Sequence, residues 1–243
     1  MTTLTTLLKT NREQLHDFEK KLGYTFSDLN YLQKAFVHSS YSFEHGKDIR
    51  DNNETLEFLG DAVLDLIVGY ILFTRFPQMK EGDLTRLRSA LVQESHLAVM
   101  AREIGLGDYL LLGKGEDASL GREKPSILSC AFEAVIGAVF LDGGYDNASA
   151  VVERHVSPWI EERRKTLTSA DSKSRLQEMI QEKHNQGPIY VLEKTEGPDH
   201  AKVFHVTVQF QGKVLAHGTA TNKKEAEQSA AAEAVRVFAD LHL

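Results

Sequence analysis

The stretch NNETLEFLGDAVLDL, residues 52–66, decides how this chain is read. It has the apolar spacing of a helix, yet Glu54, Glu57, Asp61 and Asp65 sit among Leu, Phe, Val and Ala. At about 100° per residue, with Glu54 at zero, Glu57 falls at about 300°, Asp61 at about 340° and Asp65 at about 20°. The four acids therefore share roughly a quarter of the circumference. Leu56, Leu59, Ala62, Val63, Leu66 and Ile67 fill most of the remainder. One reading of this face is a solvated polar stripe on an amphipathic helix. Such stripes normally mix Lys with Glu, because like charges at i,i+4 destabilise a helix. No cation occurs between Glu54 and Asp65. Carboxylates crowded in this way take up protons or bind a positive charge.

A second helix bears on the choice. Residues 126–141, SILSCAFEAVIGAVFL, are apolar on nearly every side, and Glu133 is their only charge. A lone buried carboxylate is costly unless it is paired or bound to a metal. A structural pairing with Arg86 or Arg88 is the plainer alternative. Oxygen-only ligation suits Mg²⁺ or Mn²⁺ rather than Zn²⁺. Packed together, the two helices would form a hard-cation site of three or four carboxylates, the equipment for metal-assisted phosphodiester hydrolysis.

Working outward, residues 11 to about 160 read as helices throughout, with apolar residues at three- and four-residue spacing, as in Leu84, Leu87 and Leu91. Ser27 is expected to begin one helix, with Asp28 in its first turn. The segment EERRKTLTSADS, 161–172, is polar and reads as a linker. A helix over 173–184 follows, with Leu176, Met179 and Ile180 on one stripe. Gly187-Pro188 ends it, and IYVLEK suggests a strand. In VFHVTVQF, 203–210, Phe204, Val206, Val208 and Phe210 alternate onto one face. A turn at Gly212-Lys213, a strand in VLAHGTAT and an Ala-rich helix over 222–239 complete an α-β-β-β-α unit. The expected architecture is an all-α domain over 11–162, a linker over 163–170 and a small α+β domain over 171–240.

The chain has 243 residues and a single cysteine, Cys130. No internal disulfide is possible, and a reducing compartment is expected. No apolar run is expected to span a bilayer. The N-terminus MTTLTTLLKTNREQL lacks a signal-like pattern, so a cytoplasmic location and no membrane partner are expected. The net charge of −7 argues, taken alone, against a nucleic-acid partner. Residues 171–243 hold nine Lys+Arg against ten Asp+Glu, net −1, so global charge does not decide the question. Local arrangement speaks for RNA. Ser174, Gln177 and Gln181 form an uncharged polar face suited to the shallow minor groove of A-form RNA and its 2′-hydroxyls. Asn222 and Glu225 make a capping box at the last helix. Lys223 and Lys224 in its first turn oppose the helix dipole unless something anionic docks. The loop Gly197-Pro198-Asp199-His200 offers a further groove contact.

NNETLEFLGDAVL resembles the ribonuclease III signature N-E-R-L-E-F-L-G-D, departing at Thr55. SILSCAFEAVIGAVFLDGG resembles the second acidic helix of that family, and GDLTRLRSALV the helix preceding its active-site loop. The C-terminal unit is similar to a double-stranded RNA-binding domain in K-S-x-L-Q-E, G-P-x-H and K-K-x-A-E-Q. The resemblance covers nearly the whole chain, in the order of the bacterial enzymes that have one nuclease domain and one RNA-binding domain. It implies a homodimeric hydrolase that uses Mg²⁺, with Mn²⁺ as a substitute, to cut both strands of duplex RNA. Products would carry 5′-phosphate and 3′-hydroxyl ends with two-nucleotide 3′ overhangs. Substrates would be ribosomal and transfer RNA precursors and structured messages.

By motif position the resemblance makes Glu57, Asp61 and Glu133 metal ligands, with Asp61 and Glu133 the catalytic pair and Glu54 an outer acid. It makes Phe58 a dimer contact, and Ser174, Gln177, Gln181, His200, Lys223 and Lys224 RNA contacts. The family has Asp three residues before the second-helix Glu; here that residue is Cys130, a poor ligand for Mg²⁺. Activity is expected, with a raised metal requirement. The competing readings are a duplex-RNA-binding protein that has lost cleavage through Cys130, and a helical hydrolase of small phosphates. The latter leaves Gln177, His200 and the lysine pair unexplained. A serine-type site of His38 with Ser39 or Ser40 is disfavoured, because adjacent residues in a helix do not face each other and no orienting acid is evident.

Overall fold

The computed structural model describes residues 4–45, 52–170, 172–198 and 202–238. The chain divides into two units, 1–161 and 162–243.

The first unit holds α1 (Leu4–Leu22), α2 (Leu29–Ala35), α3 (Ser39–His45), α4 (Glu54–Arg75), α5 (Glu81–Val92), α6 (Glu94–Glu103), α7 (Lys114–Ala118) and most of α8 (Pro125–Ala170). Short 3₁₀ turns cover Leu106–Tyr109 and Gly121–Glu123. Asp28 is the N-cap of α2 rather than a first-turn residue, its side chain accepting from the Asn30 N–H. Phe18, Phe36, Leu64, Ile67, Leu87, Leu91 and Phe132 are fully buried and tie the helices to one core. Phe18 and Phe36 meet edge to face at 4.9 Å.

Helix α8 is broken at Gly144, whose φ of 74° belongs to the left-handed region that favours glycine. The expectation of no membrane-length apolar run needs correction: by length and composition α8 is long and apolar enough, with a mean hydropathy of 1.6 in its most apolar window. Of that window, 61% is buried inside the protein. A helix enclosed by other helices becomes apolar all round without meeting lipid. Residues 163–170, read from composition as a linker, continue α8 as helix; Arg163, Arg164, Lys165 and Leu167 are good helix formers with no Gly or Pro among them.

Two glycines set the spacing of α4 and α8. A Cβ on Gly60 would lie 1.8 Å from the Glu133 carbonyl oxygen, and one on Gly137 would lie 2.3 Å from the Leu56 carbonyl oxygen. The backbones therefore approach more closely than any side chain would permit.

The second unit is α9 (Ser172–His184), β1 (Ile189–Glu196), β2 (Val203–Phe210), β3 (Lys213–Ala220) and α10 (Lys223–Phe238). The sheet is antiparallel in the order β1-β2-β3. Val206, Val208 and Phe210 are buried against Leu176 and Ile180 of α9 and Ala226, Ala230 and Ala234 of α10. The β2–β3 turn is Gln211-Gly212, one residue earlier than expected, with φ of 49° and 77°. Two successive positive φ values give the primed turn whose twist matches a two-residue hairpin.

Candidate active site

Helix α4 starts on a pair of buried asparagines. Asn53 donates its N–H to the Val37 carbonyl at 2.8 Å, and the Asn52 side chain accepts from the Glu54 N–H at 3.1 Å. Glu54 and Glu57 then occupy the first turn, where the helix dipole offsets part of the cost of crowding acids. Within α4, Glu54, Asp61 and Phe58 are exposed while Glu57 and Asp65 are half-buried.

The structure brings Glu57 of α4 together with Cys130 and Glu133 of α8. One ligand atom from each, two carboxylate oxygens and the Cys130 Sγ, all lie within 4.8 Å of one another. The Gly60 contact is with the Glu133 backbone itself, so the helix crossing sits at the cluster. Asp61 lies outside the triplet but contributes to its field. Burial first, then the negative charges of Asp61, Glu57 and Asp65, push the Glu133 carboxyl up to about 7. The Cys130 thiol is pushed up to about 12 by burial, by its hydrogen bond to Glu57 and by the nearby carboxylates.

The partners of the two arginines, together with the direction of the Glu133 shift, favour the metal reading of Glu133 over the arginine pairing. Arg86 Nη2 donates to Asp83 at 2.7 Å, and Arg88 Nε lies 3.8 Å from Asp65 Oδ1. A carboxyl paired with either arginine would titrate below its ordinary value, whereas Glu133 titrates above it. The cluster has acceptors and excess negative charge, which fits a divalent cation. Its donor set is two oxygens and one sulfur, with the exposed Asp61 carboxylate next in reach of its field.

Sequence reasoning missed what surrounds this cluster. His38 is half-buried beside it, and burial lowers its pKa against the opposing pull of Glu116, Glu54 and Glu57. Lys124 pairs with Glu116, fixing a cation on the loop that precedes α8. The His38 ring does meet Ser40, contrary to expectation, with Nδ1 at 2.8 Å from Oγ. His38 precedes α3 rather than lying within it, so the helical argument against their meeting does not apply. Nδ1 also accepts the Ser40 backbone N–H, and Ser40 Oγ accepts from the Gly113 N–H. These bonds cap α3 and anchor the 110–113 segment.

In the second unit Ser174, Gln177 and Gln181 are exposed on α9, and Lys223 and Lys224 are exposed at the start of α10. The Glu225 N–H donates to the Asn222 side chain at 2.9 Å, the N-cap half of the expected box. The Glu225 carboxylate turns instead to Thr221. His200 lies outside the described residues.

Comparison with known proteins follows the same division. Residues 28–159 match the family model described as ribonuclease-III-like, and 172–237 match the double-stranded RNA binding motif. Ribonuclease 3 of Desulfotalea psychrophila is 60% identical over 230 residues, covering 95% of each chain. The chain belongs to the ribonuclease III family. Ribonuclease 3 of Syntrophobacter fumaroxidans is 44% identical over 93% of this chain and 95% of its own. The solved nuclease domain of ribonuclease III from Campylobacter jejuni, described for structural flexibility in a region involved in dimer formation, superposes with a TM-score of 0.55. It is 45% identical, covering 59% of this chain and 96% of its own. Within a ribonuclease III chain the α4–α8 crossing is the nuclease half and the α-β-β-β-α unit the RNA-binding half.

Proposed function

We propose that the α4–α8 cluster is the centre at which this chain hydrolyses phosphodiester bonds in RNA duplexes. The chain is an endoribonuclease acting on double-stranded RNA. The observation that carries the site assignment is the Glu57–Cys130–Glu133 cluster, with Glu133 held up near 7 by the acids around it. Glu57, Asp61 and Glu133 hold Mg²⁺, or Mn²⁺ in its place, with Glu54 as an outer acid. The ion, when bound, activates water and stabilises charge developing on the phosphate. Asp61 and Glu133 form the catalytic pair. Burial and the surrounding acids favour the protonated form of Glu133, and an entering positive charge favours the carboxylate. Glu54, Glu57, Asp61 and Glu133 are all present and Cys130 alone departs, which favours a working nuclease over a protein that only binds RNA.

The second unit supplies affinity. Ser174, Gln177 and Gln181 present hydrogen-bonding groups to a minor groove, His200 adds a further RNA contact, and Lys223 and Lys224 meet phosphate at the helix N-terminus. Cutting both strands requires a second centre. Phe58, Leu66, Tyr70 and Phe73 are 82%, 60%, 57% and 67% exposed and share about a third of the α4 circumference. An apolar stripe of this size at the edge of the acidic face supports a homodimer formed through α4. Products with 5′-phosphate and 3′-hydroxyl ends, a role in maturing ribosomal and transfer RNA precursors and structured messages, and a cytoplasmic location complete the proposal. The test is a set of end-labelled substrates of one sequence: duplex RNA, its single strands and the DNA duplex. Duplex RNA alone should be cut, to ends that a ligase accepts without prior phosphorylation. Equal cutting of single strands, or 3′-phosphate ends, would overturn the proposal.

A further inference from the structure

We infer that Cys130 is itself a ligand in this centre, giving it a preference for thiophilic divalent ions that an all-carboxylate centre lacks. The inference rests on the α4–α8 cluster being the nuclease centre, and it concerns which ions that centre selects.

Cys130 Sγ does not point away to be replaced by solvent. It lies within 4.8 Å of ligand oxygens from both Glu57 and Glu133. Its position three residues before Glu133 puts both side chains on one face of α8. The cluster also has little room to widen so as to exclude the sulfur. The Gly60–Glu133 and Gly137–Leu56 backbone contacts hold α4 and α8 at a fixed approach. An ion that reaches both Glu57 and Glu133 therefore has Sγ beside it.

Donor chemistry then sets the order of preference. Mg²⁺ is hard and takes oxygen, so sulfur contributes little to holding it. Zn²⁺, Cd²⁺ and Co²⁺ accept thiolate readily, and three protein ligands with an open position is the ordinary arrangement for a reactive zinc centre. In a tetrahedral set with Zn–S of about 2.3 Å and Zn–O of about 2.0–2.2 Å, neighbouring donors stand roughly 3.3–3.7 Å apart. That separation fits within the observed spread. On binding, the Sγ–H bond breaks, an Sγ–metal bond forms and the proton passes to solvent. No electron is transferred. The consequence is a nuclease whose metal centre is captured by thiophilic ions in competition with Mg²⁺.

Co²⁺ titration of the full-length protein under a non-thiol reductant gives a direct reading. Thiolate ligation produces a sulfur-to-cobalt charge-transfer band in the near ultraviolet, which oxygen ligands do not. Cys130 is the only cysteine in the chain, so the band has a single protein source. It should rise to one equivalent per chain, be removed by Zn²⁺, and be absent in Cys130→Ser and Cys130→Asp. Competition against a chromophoric chelator should show Zn²⁺ affinity falling at least about tenfold in Cys130→Ser, with Mg²⁺ affinity changed by less than about threefold. Co²⁺ bound at the centre without the band, or equal Zn²⁺ affinity in the natural chain and Cys130→Ser, would overturn the inference. Duplex cleavage with Mn²⁺ is run on the same preparations. Cleavage without the band leaves the nuclease reading standing and removes sulfur ligation. The band without cleavage under any ion supports sulfur ligation and removes the nuclease reading.

Discussion

Replacing Glu133 with Gln should stabilise the metal-free protein at alkaline pH while abolishing its activity. The folded state lifts the Glu133 carboxyl from its ordinary 4.5 to about 7, so the folded protein holds this proton more tightly than the unfolded chain. Stability contributed by the group is present below pH 4.5 and is lost as pH rises through about 7. At about 1.4 kcal/mol per pH unit, the penalty is on the order of 1 kcal/mol at pH 5 and about 3 kcal/mol at pH 8. Glutamine keeps the shape and carries no charge. For a unit of this size about 3 kcal/mol corresponds to a rise in Tm of roughly 6–12 °C at pH 8, shrinking to roughly 2–4 °C at pH 5. The assay is thermal denaturation of both proteins in chelator at fixed protein concentration, because an oligomer's Tm depends on concentration. Saturating divalent ion should then close the gap, since the natural chain gains binding energy that the variant lacks. A pH-independent difference, or a variant less stable than the natural chain at pH 8, would refute the assignment of Glu133 to a cluster of mutually repelling acids.

Other perturbations address the remaining parts. Gly60→Ala places a methyl group 1.8 Å from the Glu133 carbonyl oxygen; it should cost about 1–3 kcal/mol or more in denaturant unfolding and weaken divalent-ion affinity by parting α4 from α8. Leu66→Asp with Phe73→Asp alters exposed positions only, so sedimentation should show a monomer whose unfolding free energy at matched dilution is changed by less than about 1 kcal/mol. Lys223→Ala with Lys224→Ala should weaken duplex RNA binding and lower the slope of log K against log salt by about 1 for each phosphate that is no longer neutralised, with divalent-ion affinity unchanged.

Periodicity carried much of the fold. The bounds expected for the strand of 203–210 are those of β2, with Val206, Val208 and Phe210 buried as the alternation requires, although Phe204 is only half-buried and Thr207 on the other face is buried as well; the polar stripe of 52–66 does place its acids on one face of α4. Contacts between elements were not legible. Gly60 sits inside a recognisable motif, but its purpose depends on Gly137, which is 77 residues away in the chain and meets α4 only once both helices are packed. The α8 break at Gly144 and the helical course of 163–170 likewise depend on which of several local preferences the surrounding structure selects. At the site, helical arithmetic put Cys130 beside Glu133, and the resemblance put Glu57 and Asp61 with Glu133; the structure gathers Glu57, Cys130 and Glu133 and leaves Asp61 outside that triplet. Helical arithmetic could not rank Asp61 behind Glu57 in distance, because side-chain rotamers and backbone approach settle that order.

The most direct test of the α4–α8 centre is cleavage of a long perfect RNA duplex by the natural chain and by Glu133→Ala, titrating Mg²⁺ and then Mn²⁺, with duplex binding measured alongside. The expected result is cutting by the natural chain and none by the variant, with both binding the duplex equally. An intact duplex at saturating Mg²⁺ and Mn²⁺, or undiminished cutting by Glu133→Ala, would contradict the account.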